Sequence, residues 1–360
     1  MRTVLYPVAP SYPGYSQSRL IESRMQPETP FFLWRHLNKL RWVSLCVVFA
    51  MLIYLPFAHV YQTFVSAHAY DLLAPSEQRL YDVMEGLTQP FTNDPASGLD
   101  VIKGTTWSGT FWTYKISDPL AVAGQAAASL SIYWPFVLSA LIPVVLTLIF
   151  GRFFCGWICP ATLLYELNTN FGAWLRWAGL HAGNRHLDKR LKYAVLALGL
   201  VLSAVSGSVL VATIYPPAII GRELYYSIAW GGFGVGMVFF LGTLLFDLLV
   251  ARRGFCRYVC PGGALYSLLG RYRVVRIKRI VQNCNDCAKC NVVCEFGLDP
   301  LHDGFGQECN NCTACMAICP TEALTFTIRP TDVPEQGPGH LGHQYRYQSG
   351  APSEQDKEVA

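Results

Sequence analysis

Eight cysteines near the C-terminal end constrain the fold most, because they form two runs of matched spacing. The runs are Cys284-x-x-Cys287-x-x-Cys290-x-x-x-Cys294 and Cys309-x-x-Cys312-x-x-Cys315-x-x-x-Cys319-Pro320. In bacterial-type ferredoxins three thiolates at steps of three bind one cubane, and the fourth cysteine of each run binds the neighbouring cubane. The spacing therefore predicts a small domain built around two [4Fe-4S] clusters.

Each predicted cluster takes three ligands from one run and one ligand from the other. The first cluster is assigned Cys284, Cys287, Cys290 and Cys319, and the second is assigned Cys309, Cys312, Cys315 and Cys294. A zinc site uses four ligands in two pairs and would leave one cysteine of each run idle. Disulfides belong to oxidising compartments, whereas the topology derived below puts this segment in the cytoplasm. The two-cluster interpretation is favoured over both.

Apolar residues predict that much of the remaining chain lies in a membrane. Hydrophobic residues make up 52% and charged residues only 14%, whereas about a quarter of the residues in ordinary soluble domains are charged. The apolar residues are concentrated in four stretches, each near or above the roughly 20 residues that a membrane-spanning helix needs. The predicted spans cover residues 42–64, 132–150, 193–215 and 224–250.

The predicted fold class is an all-α polytopic membrane domain followed by a small α+β bacterial-type ferredoxin domain. The membrane domain covers residues 42–270 and holds four transmembrane helices as two repeated hairpins. The ferredoxin domain covers residues 271–329 and carries both clusters.

Two local signals add detail to this fold. Asp118 followed by Pro119 is typical of an N-cap and a first helical residue, so a short helix on the membrane face is predicted after them. Val274, Val275 and Ile277 are predicted to begin a ferredoxin strand that pairs with residues 324–328.

Basic residues predict the orientation of the spans. Of the 28 Lys and Arg, 6 precede the first span, 6 lie in residues 151–192 and 12 follow the last span, whereas residues 65–131 hold only 3. The positive-inside rule then places both termini and the ferredoxin domain in the cytoplasm and makes residues 65–131 a periplasmic loop. Residues 1–41 form a cytoplasmic tail, and residues 330–360, rich in Pro, Gly, Gln and Ser, are predicted to be disordered. The net charge of +4 reflects this topology, and no nucleic-acid binding is expected.

A repeat lies within the membrane half. The segments Arg152-Phe153-Phe154-Cys155-Gly156-Trp157-Ile158-Cys159-Pro160 and Arg253-Gly254-Phe255-Cys256-Arg257-Tyr258-Val259-Cys260-Pro261 share one motif at a shift of 101 residues. The repeat predicts two hairpins that end in the same cysteine motif on the cytoplasmic side. The proline after each second cysteine suits the first position of a following helix.

Three interpretations of Cys155, Cys159, Cys256 and Cys260 stay open. The two cysteines of each motif share a helix face, so each pair has the geometry for a disulfide or for clamping a soft metal. All four thiolates converge on one metal or a third cluster if the hairpins pack side by side. The third interpretation is that they are small, reduced residues packed at a tight turn. The duplicated spacing favours a redox or metal role.

Asp247 is the acid placed deep in a predicted span. Intramembrane acids are functional candidates, and this one is a candidate proton acceptor from a quinol. Neutralisation by the nearby Arg252 and Arg253 is the alternative. The chain has no C-x-x-C-H motif and hardly any histidine in its spans, so no haem is expected to carry electrons across the membrane.

The chain resembles the NapH family of polytopic membrane ferredoxins from periplasmic nitrate reductase systems, together with its relatives NosH and the C-terminal half of NosR. The residues that carry the resemblance are Asp118-Pro119-Leu120, the two cysteine motifs, Leu245-Phe246-Asp247-Leu248-Leu249 and both cluster runs. One departure is that the first run ends in Cys294-Glu295-Phe296, where the family has Cys-Pro.

The resemblance implies a multi-pass protein of the bacterial inner membrane that contacts lipid and exchanges electrons with quinol or quinone. It implies a redox subunit of a quinol dehydrogenase complex that feeds a periplasmic reductase of the nitrate or nitrous oxide type. The implied partner is a periplasmic ferredoxin or a c-type cytochrome. Two alternatives stay open: a copper-reducing or cofactor-assembly accessory protein similar to CcoG, and a redox sensor or scaffold.

Overall fold

The computed structural model describes residues 31–90, 99, 102–104, 108–111, 114–177, 187–302 and 304–328. Residues 1–30 of the predicted N-terminal tail lie outside the described residues, as does the predicted disordered tail, residues 330–360.

The described elements are mostly helices. The helices are α1 (Phe31–Ser66), α2 (Pro75–Thr88), α3 (Pro119–Ser129), α4 (Trp134–Ser139), α5 (Leu141–Phe150), α6 (Phe153–Trp157), α7 (Pro160–Trp177), α8 (Leu191–Ser206), α9 (Pro216–Trp230), α10 (Val235–Leu249), α11 (Gly254–Tyr258), α12 (Pro261–Leu269), α13 (Lys289–Val293) and α14 (Ala314–Ile318). The strands are β1 (Ile102–Gly104), β2 (Ser108–Phe111), β3 (Tyr114–Ser117), β4 (Val275–Arg279) and β5 (Leu324–Ile328). Strands β1 to β3 form one antiparallel sheet, and β4 and β5 form another.

Helix α1 is, among the described helices, the one long and apolar enough to cross a bilayer. Three shorter apolar helical segments of 10–17 residues follow: Trp134–Phe150, Leu191–Ser206 and Val235–Leu249. They overlap the second, third and fourth predicted spans, and the helix Leu191–Ser206 begins two residues before the third. The described residues therefore contain one full-length candidate span and three shorter apolar segments where the sequence predicts four full spans.

Glycines explain why two predicted spans are shorter than expected. Helix α8 ends at Gly207, whose φ of 67° is left-handed, and α9 ends in the same way at Gly231, with φ of 69°. A Cβ atom at Gly236 would clash with Oε1 of Glu223. This carboxylate is buried and accepts a hydrogen bond from the backbone of Gly234. The glycine-rich segment thus ends one helix and makes room for a buried acid beside the next, which divides the predicted span 224–250.

The two halves of the helical domain have the same order of elements at the 101-residue shift. Helices α4 and α5 together correspond to α10, α6 corresponds to α11, and α7 corresponds to α12. Both α7 and α12 begin at the proline that follows the second motif cysteine, which confirms the prediction of helices starting at Pro160 and Pro261. The repeated motif therefore encodes a repeated turn between two helices.

One hydrophobic core joins the two repeats. It includes Leu52 of α1, Tyr165 of α7, Leu196 of α8, Phe240 of α10 and Ala264 of α12. Since members of both repeats share this core, the two cysteine motifs are held in a fixed relative position.

The predicted N-cap at Asp118 is confirmed. Its carboxylate accepts a hydrogen bond from the backbone N–H of Leu120 at 2.8 Å, and Pro119 is the first residue of α3. The second carboxylate oxygen accepts a hydrogen bond from the Tyr215 hydroxyl at 2.6 Å. Helix α3 packs against α8, so this buried cap fixes α3 to the centre of the domain.

Replacing Asp118 with alanine is expected to lower the thermal unfolding midpoint in detergent micelles. The lost N-cap costs about 1–2 kcal/mol, and the buried Tyr215 hydroxyl, left without its acceptor, adds about 1–3 kcal/mol. Asp118→Asn is the matched control, because an amide oxygen keeps the cap. Equal losses in the alanine and asparagine variants would show that the cap is not the source of the effect.

The ferredoxin domain folds around the predicted strand pair, which is confirmed. Val275 lies opposite Ile328 and Arg279 lies opposite Leu324 in the antiparallel register. Ile277 of β4 is buried against Phe305 and Leu324, so the domain has its own small apolar core.

The ferredoxin domain packs against the helical domain where the first cysteine motif begins. The backbone N–H of Val274 donates to the carbonyls of Leu148 and Ile149 at 3.2 Å. The Asn311 side chain donates to the Phe150 carbonyl at 2.8 Å, and α14 packs against α1. These contacts connect the second cysteine run directly to the end of α5.

Candidate iron-sulfur sites and paired cysteine motifs

The two cysteine runs fold into loops that adopt the same backbone conformation at a shift of 25 residues. Asp286 and its counterpart Asn311 have φ of 52° and 51°, and Ala288 and its counterpart Thr313 have φ of 54° and 61°. Left-handed backbone at a non-glycine residue costs about 1–3 kcal/mol and persists only where the surroundings require it. The repeated strain indicates that both loops are shaped around something they hold.

The first quartet lines one small cavity. Cys284, Cys287 and Cys290 of the first run meet Cys319 of the second run at its walls. Burial raises the pKa of the Cys290 thiol to about 12, and the charges of Cys287, Cys319 and Cys284 contribute to the rise. The structure thus brings together one cysteine from the second run and three from the first.

The second quartet lies in a larger cavity of about 800 Å³, whose other walls include residues of α1 and α7. Its cysteines are Cys294, Cys309, Cys312 and Cys315. Burial raises the pKa of Cys294 to about 12, and Cys312 and Cys309 contribute to the rise. Here too, three cysteines of one run are joined by the last cysteine of the other.

The donor sets fit cubane clusters. Four sulfur ligands favour zinc or an iron-sulfur cluster. Each quartet lines a cavity and not a single tight point of contact, which leaves space for a cluster between the four sulfur atoms. Thiols with raised pKa values are protonated at neutral pH, and cluster binding therefore releases protons.

The four cysteines of the repeated motif also come together. Cys155 lies in α6 and Cys256 in α11, and Cys159 and Cys260 follow these helices. Burial raises the pKa of Cys159 and of Cys260 to about 12, and Cys155 of the first motif contributes to both shifts. Burial also raises the pKa of Cys256, to which Cys260 and Cys159 contribute. All four are free thiols, so the structure contains no disulfide within either pair.

Aromatic residues of the two motifs stack reciprocally. Phe154 stacks on Tyr266 at 5.1 Å between ring centroids, and Tyr165 stacks on Phe255 at 6.5 Å. Residues 154 and 255 are equivalent at the 101-residue shift, as are residues 165 and 266. Each stack contributes about 0.5–1.5 kcal/mol beyond the burial of its area. The motifs therefore face each other across a local pseudo-twofold axis.

The first motif contacts the ferredoxin domain through a buried ion pair. Arg152, which is 1% exposed, lies 2.5 Å from the Glu308 carboxylate, and Lys192 contacts the same oxygen. Tyr193 donates a hydrogen bond to the other oxygen at 3.1 Å. Burial by itself raises the pKa of Glu308, but Arg152 and Lys192 outweigh it and lower the pKa. Glu308 is thus the shared anion of two buried cations.

The second motif makes an equivalent contact. Arg253, the counterpart of Arg152, lies 2.5 Å from Glu295 and 2.7 Å from Glu166, which also pairs with Arg41 of α1 at 2.5 Å. Glu295 directly follows Cys294, and Glu308 directly precedes Cys309. Both equivalent arginines, named here the repeat arginines, therefore bind carboxylates next to cysteines of the second quartet.

Asp247 lies beside the second motif. One carboxylate oxygen accepts a hydrogen bond from the backbone N–H of Phe255 at 2.7 Å, and the other is buried without a hydrogen-bond partner among the described residues. Within the same residues, Asp247 makes no ion pair with Arg252 or Arg253. Asp247 thus supports the turn that carries Cys256, and its other oxygen has no hydrogen-bond partner among the described residues.

Sequence reasoning missed the carboxylates that join the domains. Glu166, Glu295 and Glu308 gave no pattern of their own in the sequence. The departure of Glu295 from the Cys-Pro pattern was a signal, and its ion pair with Arg253 explains it: a proline there could not supply a carboxylate.

A family model described as a 4Fe-4S binding domain matches the chain twice, at residues 133–177 and 233–280. Both matches cover the repeated motif and its neighbouring helices, and each contains two of the motif cysteines. The ferredoxin runs lie after both matches. This family description therefore applies to the helical repeat.

The chain is also similar along most of its length to curated bacterial proteins. It is 33% identical over 222 residues to the ferredoxin-type protein NapH of Haemophilus influenzae, which covers 59% of this chain and 73% of that protein. The ferredoxin-type protein NapH of Escherichia coli is 31% identical and covers 57% of this chain and 69% of its own length. The methylamine utilization ferredoxin-type protein MauN of Methylorubrum extorquens is 30% identical, and the match covers 57% of this chain and 69% of that protein. No solved structure gives a significant match.

Proposed function

The chain belongs to the family of ferredoxin-type proteins that includes NapH and MauN, and from this premise we propose that it is a quinol-oxidising iron-sulfur subunit of the bacterial inner membrane. The family membership and the 4Fe-4S domain support an iron-sulfur electron-transfer role. The proposed direction of flow is toward a periplasmic reductase of the nitrate or nitrous oxide type, through a periplasmic ferredoxin or c-type cytochrome partner.

We propose that α1 and the three shorter apolar helical segments cross the membrane, with both termini and the ferredoxin domain in the cytoplasm. Apolar side chains exposed on the shorter helices support this, among them Val201 and Val205 of α8 and Val238 of α10, which are 58%, 82% and 71% exposed. With 15 residues, α10 reaches only about 22 Å, against a hydrocarbon core of about 30 Å. Bilayer thinning and flanking residues that extend to the interface accommodate a mismatch of this size at modest cost.

The proposed ligands of the first [4Fe-4S] cluster are Cys284, Cys287, Cys290 and Cys319, and those of the second are Cys294, Cys309, Cys312 and Cys315. When bound, such clusters supply one-electron redox chemistry at potentials set by charge, hydrogen bonds and exposure. The protein buries the thiols of both sites. The nearby charges of Arg152, Lys192 and Glu308 set the electrostatic environment of the second site.

One observation carries the proposal: the repeat arginines bind carboxylates on either side of the second quartet. Buried ion pairs tie this quartet to the helical domain at two equivalent points. A ferredoxin that diffused between soluble partners would gain nothing from such fixed attachment. The arrangement supports electron exchange between the ferredoxin domain and a carrier in the membrane.

Quinol is the proposed carrier, because it moves within the bilayer and the chain has no haem motif to cross it. Oxidation of a quinol releases two electrons and two protons, so a proton acceptor is needed near the membrane surface. Asp247 is the proposed acceptor, on the ground that its second oxygen is buried and has no described partner.

Anaerobic addition of quinol to the full chain in proteoliposomes is expected to produce the EPR signal of reduced [4Fe-4S] clusters. Asp247→Asn keeps the shape and one hydrogen-bond acceptor but removes the proton acceptor, and it is expected to slow the reduction at least tenfold. Dithionite reduction of the same variant is the control and is expected to be unchanged. Clusters that dithionite reduces but quinol leaves oxidised, with the partner protein present, would contradict the proposed function.

A further inference from the structure

The two ferredoxin quartets lie in cavities of very different size. The cavity at the first quartet has a volume of about 20 Å³, and the cavity at the second has a volume of about 800 Å³. Two proposed clusters of the same kind need the same space, so most of the second cavity is not needed for its cluster. Small-molecule sites have volumes of about 300–1,000 Å³. The second cavity therefore has room for a further molecule beside the cluster.

One wall of this cavity is the end of the full-length candidate span. Asn38, Arg41 and Trp42 of α1 line the cavity, and the candidate span begins at His36. Tryptophan is enriched where spanning helices meet the membrane surface. Under the proposed topology, the cavity thus lies at the cytoplasmic surface of the bilayer.

Helix α7 forms another wall and has the features of a helix at this surface. Asn170 and Ala173 line the cavity. Leu167, Phe171 and Trp174 form an exposed apolar stripe on an adjacent face, in which Phe171 stacks on Trp174. An amphipathic helix of this kind lies in the membrane interface with its apolar face toward the acyl chains. This wall of the cavity is therefore beside the bilayer, where lipid-soluble molecules are concentrated.

Two buried polar atoms of the lining residues have no hydrogen-bond partner among the described residues. They are Oδ1 of Asn38, an acceptor, and Nε of Arg41, a donor. Asn38 and Arg41 are three residues apart in α1 and therefore share a helix face, and both line the cavity. Buried polar groups nearly always have a partner, so each exception needs an explanation. A bound molecule whose oxygen atoms both donate and accept hydrogen bonds supplies the two missing partners.

The guanidinium of Arg41 is held in a fixed position in this wall. Arg41 is 5% exposed, and its Nη1 and Nη2 donate to the Glu166 carboxylate at 2.5 and 3.0 Å. Its Nη1 also donates to the Gly156 carbonyl at 3.3 Å. A bidentate pair of this kind fixes the plane of the guanidinium. The remaining donor, Nε, is therefore fixed in direction before any ligand binds.

We propose, on the basis of the proposed function, that this cavity binds the ring of the quinol, with a ring oxygen beside Asn38 and Arg41. A quinol hydroxyl donates to a carboxamide oxygen and accepts from a guanidinium. The apolar part of the lining, which includes Trp42 and Phe296, suits the ring itself. Since the second quartet lines the same cavity, the two electrons of the bound quinol have a short path to the second cluster.

The proposed proton acceptor is close to this cavity but outside its lining. Asp247 accepts a hydrogen bond from the N–H of Phe255, two residues after Arg253. The side chain of Arg253 contacts Glu166 in the cavity wall at 2.7 Å. The two protons released with the two electrons therefore leave the ring on the side of the cavity that adjoins Asp247.

Photolabelling of the full chain locates the ring. A benzoquinone with an azido group and a decyl chain is added anaerobically to the cluster-loaded protein in proteoliposomes and activated with light. Mass spectrometry is expected to find the label in α1 near Asn38 and in α7 near Ala173, and excess decylubiquinone is expected to prevent it. Labelling confined to other segments, including α10 near Asp247, would overturn the site, as would labelling that decylubiquinone does not prevent.

Two variants test the hydrogen bond and the space separately. Asn38→Leu removes the acceptor at similar volume, and Ala173→Phe adds a ring to the lining. Each is expected to lower the labelling about tenfold or more, because a lost buried hydrogen bond or a steric clash costs that much affinity. Neither residue is a proposed cluster ligand, so both variants are expected to keep about eight irons. Leu40→Phe is the matched control, since Leu40 is exposed and outside the lining, and it is expected to label like the wild-type chain.

The ring site and the proposed function can fail separately. Quinol reduction of the clusters at wild-type rates in Asn38→Leu and Ala173→Phe would overturn the site and leave the function intact. Labelling in the cavity of a protein whose clusters quinol never reduces would contradict the function and support the site. Lys39 and Arg252 also line the cavity and are cations that suit a phospholipid headgroup. A phospholipid that is lost in Ala173→Phe but not displaced by decylubiquinone would assign the cavity to lipid and overturn the site.

Discussion

Replacing Cys315 with alanine is expected to remove about four of the eight irons in the ferredoxin domain. Cys315 is buried and lines the second cavity with Cys294, Cys309 and Cys312. Alanine offers no ligand, and a cubane held by three thiolates with one iron open to solvent is easily lost. Iron and acid-labile sulfide analysis, with EPR of the dithionite-reduced protein, checks this result.

Two further variants test how ligands are shared between the runs. Cys294→Ala, in the first run, is expected to give the same spectrum as Cys315→Ala, because the two residues line one cavity. Cys290→Ala is expected to remove the other signal. Cys46→Ala is the control and is expected to keep both. If Cys294→Ala removed the same signal as Cys290→Ala, the assignment of Cys294 to the second cluster would be wrong.

Replacing Glu308 with glutamine is expected to destabilise the attachment of the ferredoxin domain by about 3–5 kcal/mol. The substitution keeps the side-chain shape but leaves Arg152 and Lys192 buried without their shared anion. Removing one member of a buried ion pair is costly, because the remaining charges stay desolvated. The measurement is the thermal unfolding midpoint in detergent, followed together with hydrogen exchange of residues 271–328.

Glu322→Gln is the matched control, since Glu322 is a half-buried acid of the same domain and is expected to change the midpoint little. The double variant Arg152→Gln with Glu308→Gln is expected to recover part of the loss, because fewer unpaired charges remain. A Glu308→Gln protein with the midpoint and exchange rates of the wild-type chain would refute the role of this ion pair. Loss of iron without loss of attachment would point instead to an effect on cluster binding alone.

The ion pair of Glu295 gives a physical reason for its position after Cys294. A residue at this position faces Arg253, which is 1% exposed and also contacts Glu166. An apolar residue there would leave the arginine with one carboxylate shared with Arg41. The departure from Cys-Pro thus strengthens the attachment between the domains.

Much of the local structure could be predicted from the sequence. The N-cap at Asp118, the helices beginning at Pro160 and Pro261, and the pairing of β4 with β5 are all confirmed. Each depends on residues adjacent in the chain or on a simple alternation of apolar residues. Membership of the NapH-type ferredoxin proteins followed from motifs of the same local kind.

The limits of the apolar spans could not be predicted in the same way. Hydropathy averages over many residues, whereas the end of α9 depends on one left-handed glycine, Gly231, and on the buried carboxylate of Glu223 beside Gly234 and Gly236. The continuous apolar stretch 224–250 therefore folds into the end of α9, a turn and α10, which hydropathy alone could not distinguish from one helix.

Spacing along the chain was enough to identify the cysteine chemistry and the repeat, because ligand spacing and helix starts are encoded over a few residues. Only the tertiary structure shows how the two domains contact each other. Arg152 pairs with Glu308, 156 residues later in the chain, and Arg41 pairs with Glu166, 125 residues later. Such contacts leave no periodic trace in a single sequence, since each is one charge opposite one other charge. They form only when packing of the shared core brings distant segments together and excludes the water that would otherwise screen them.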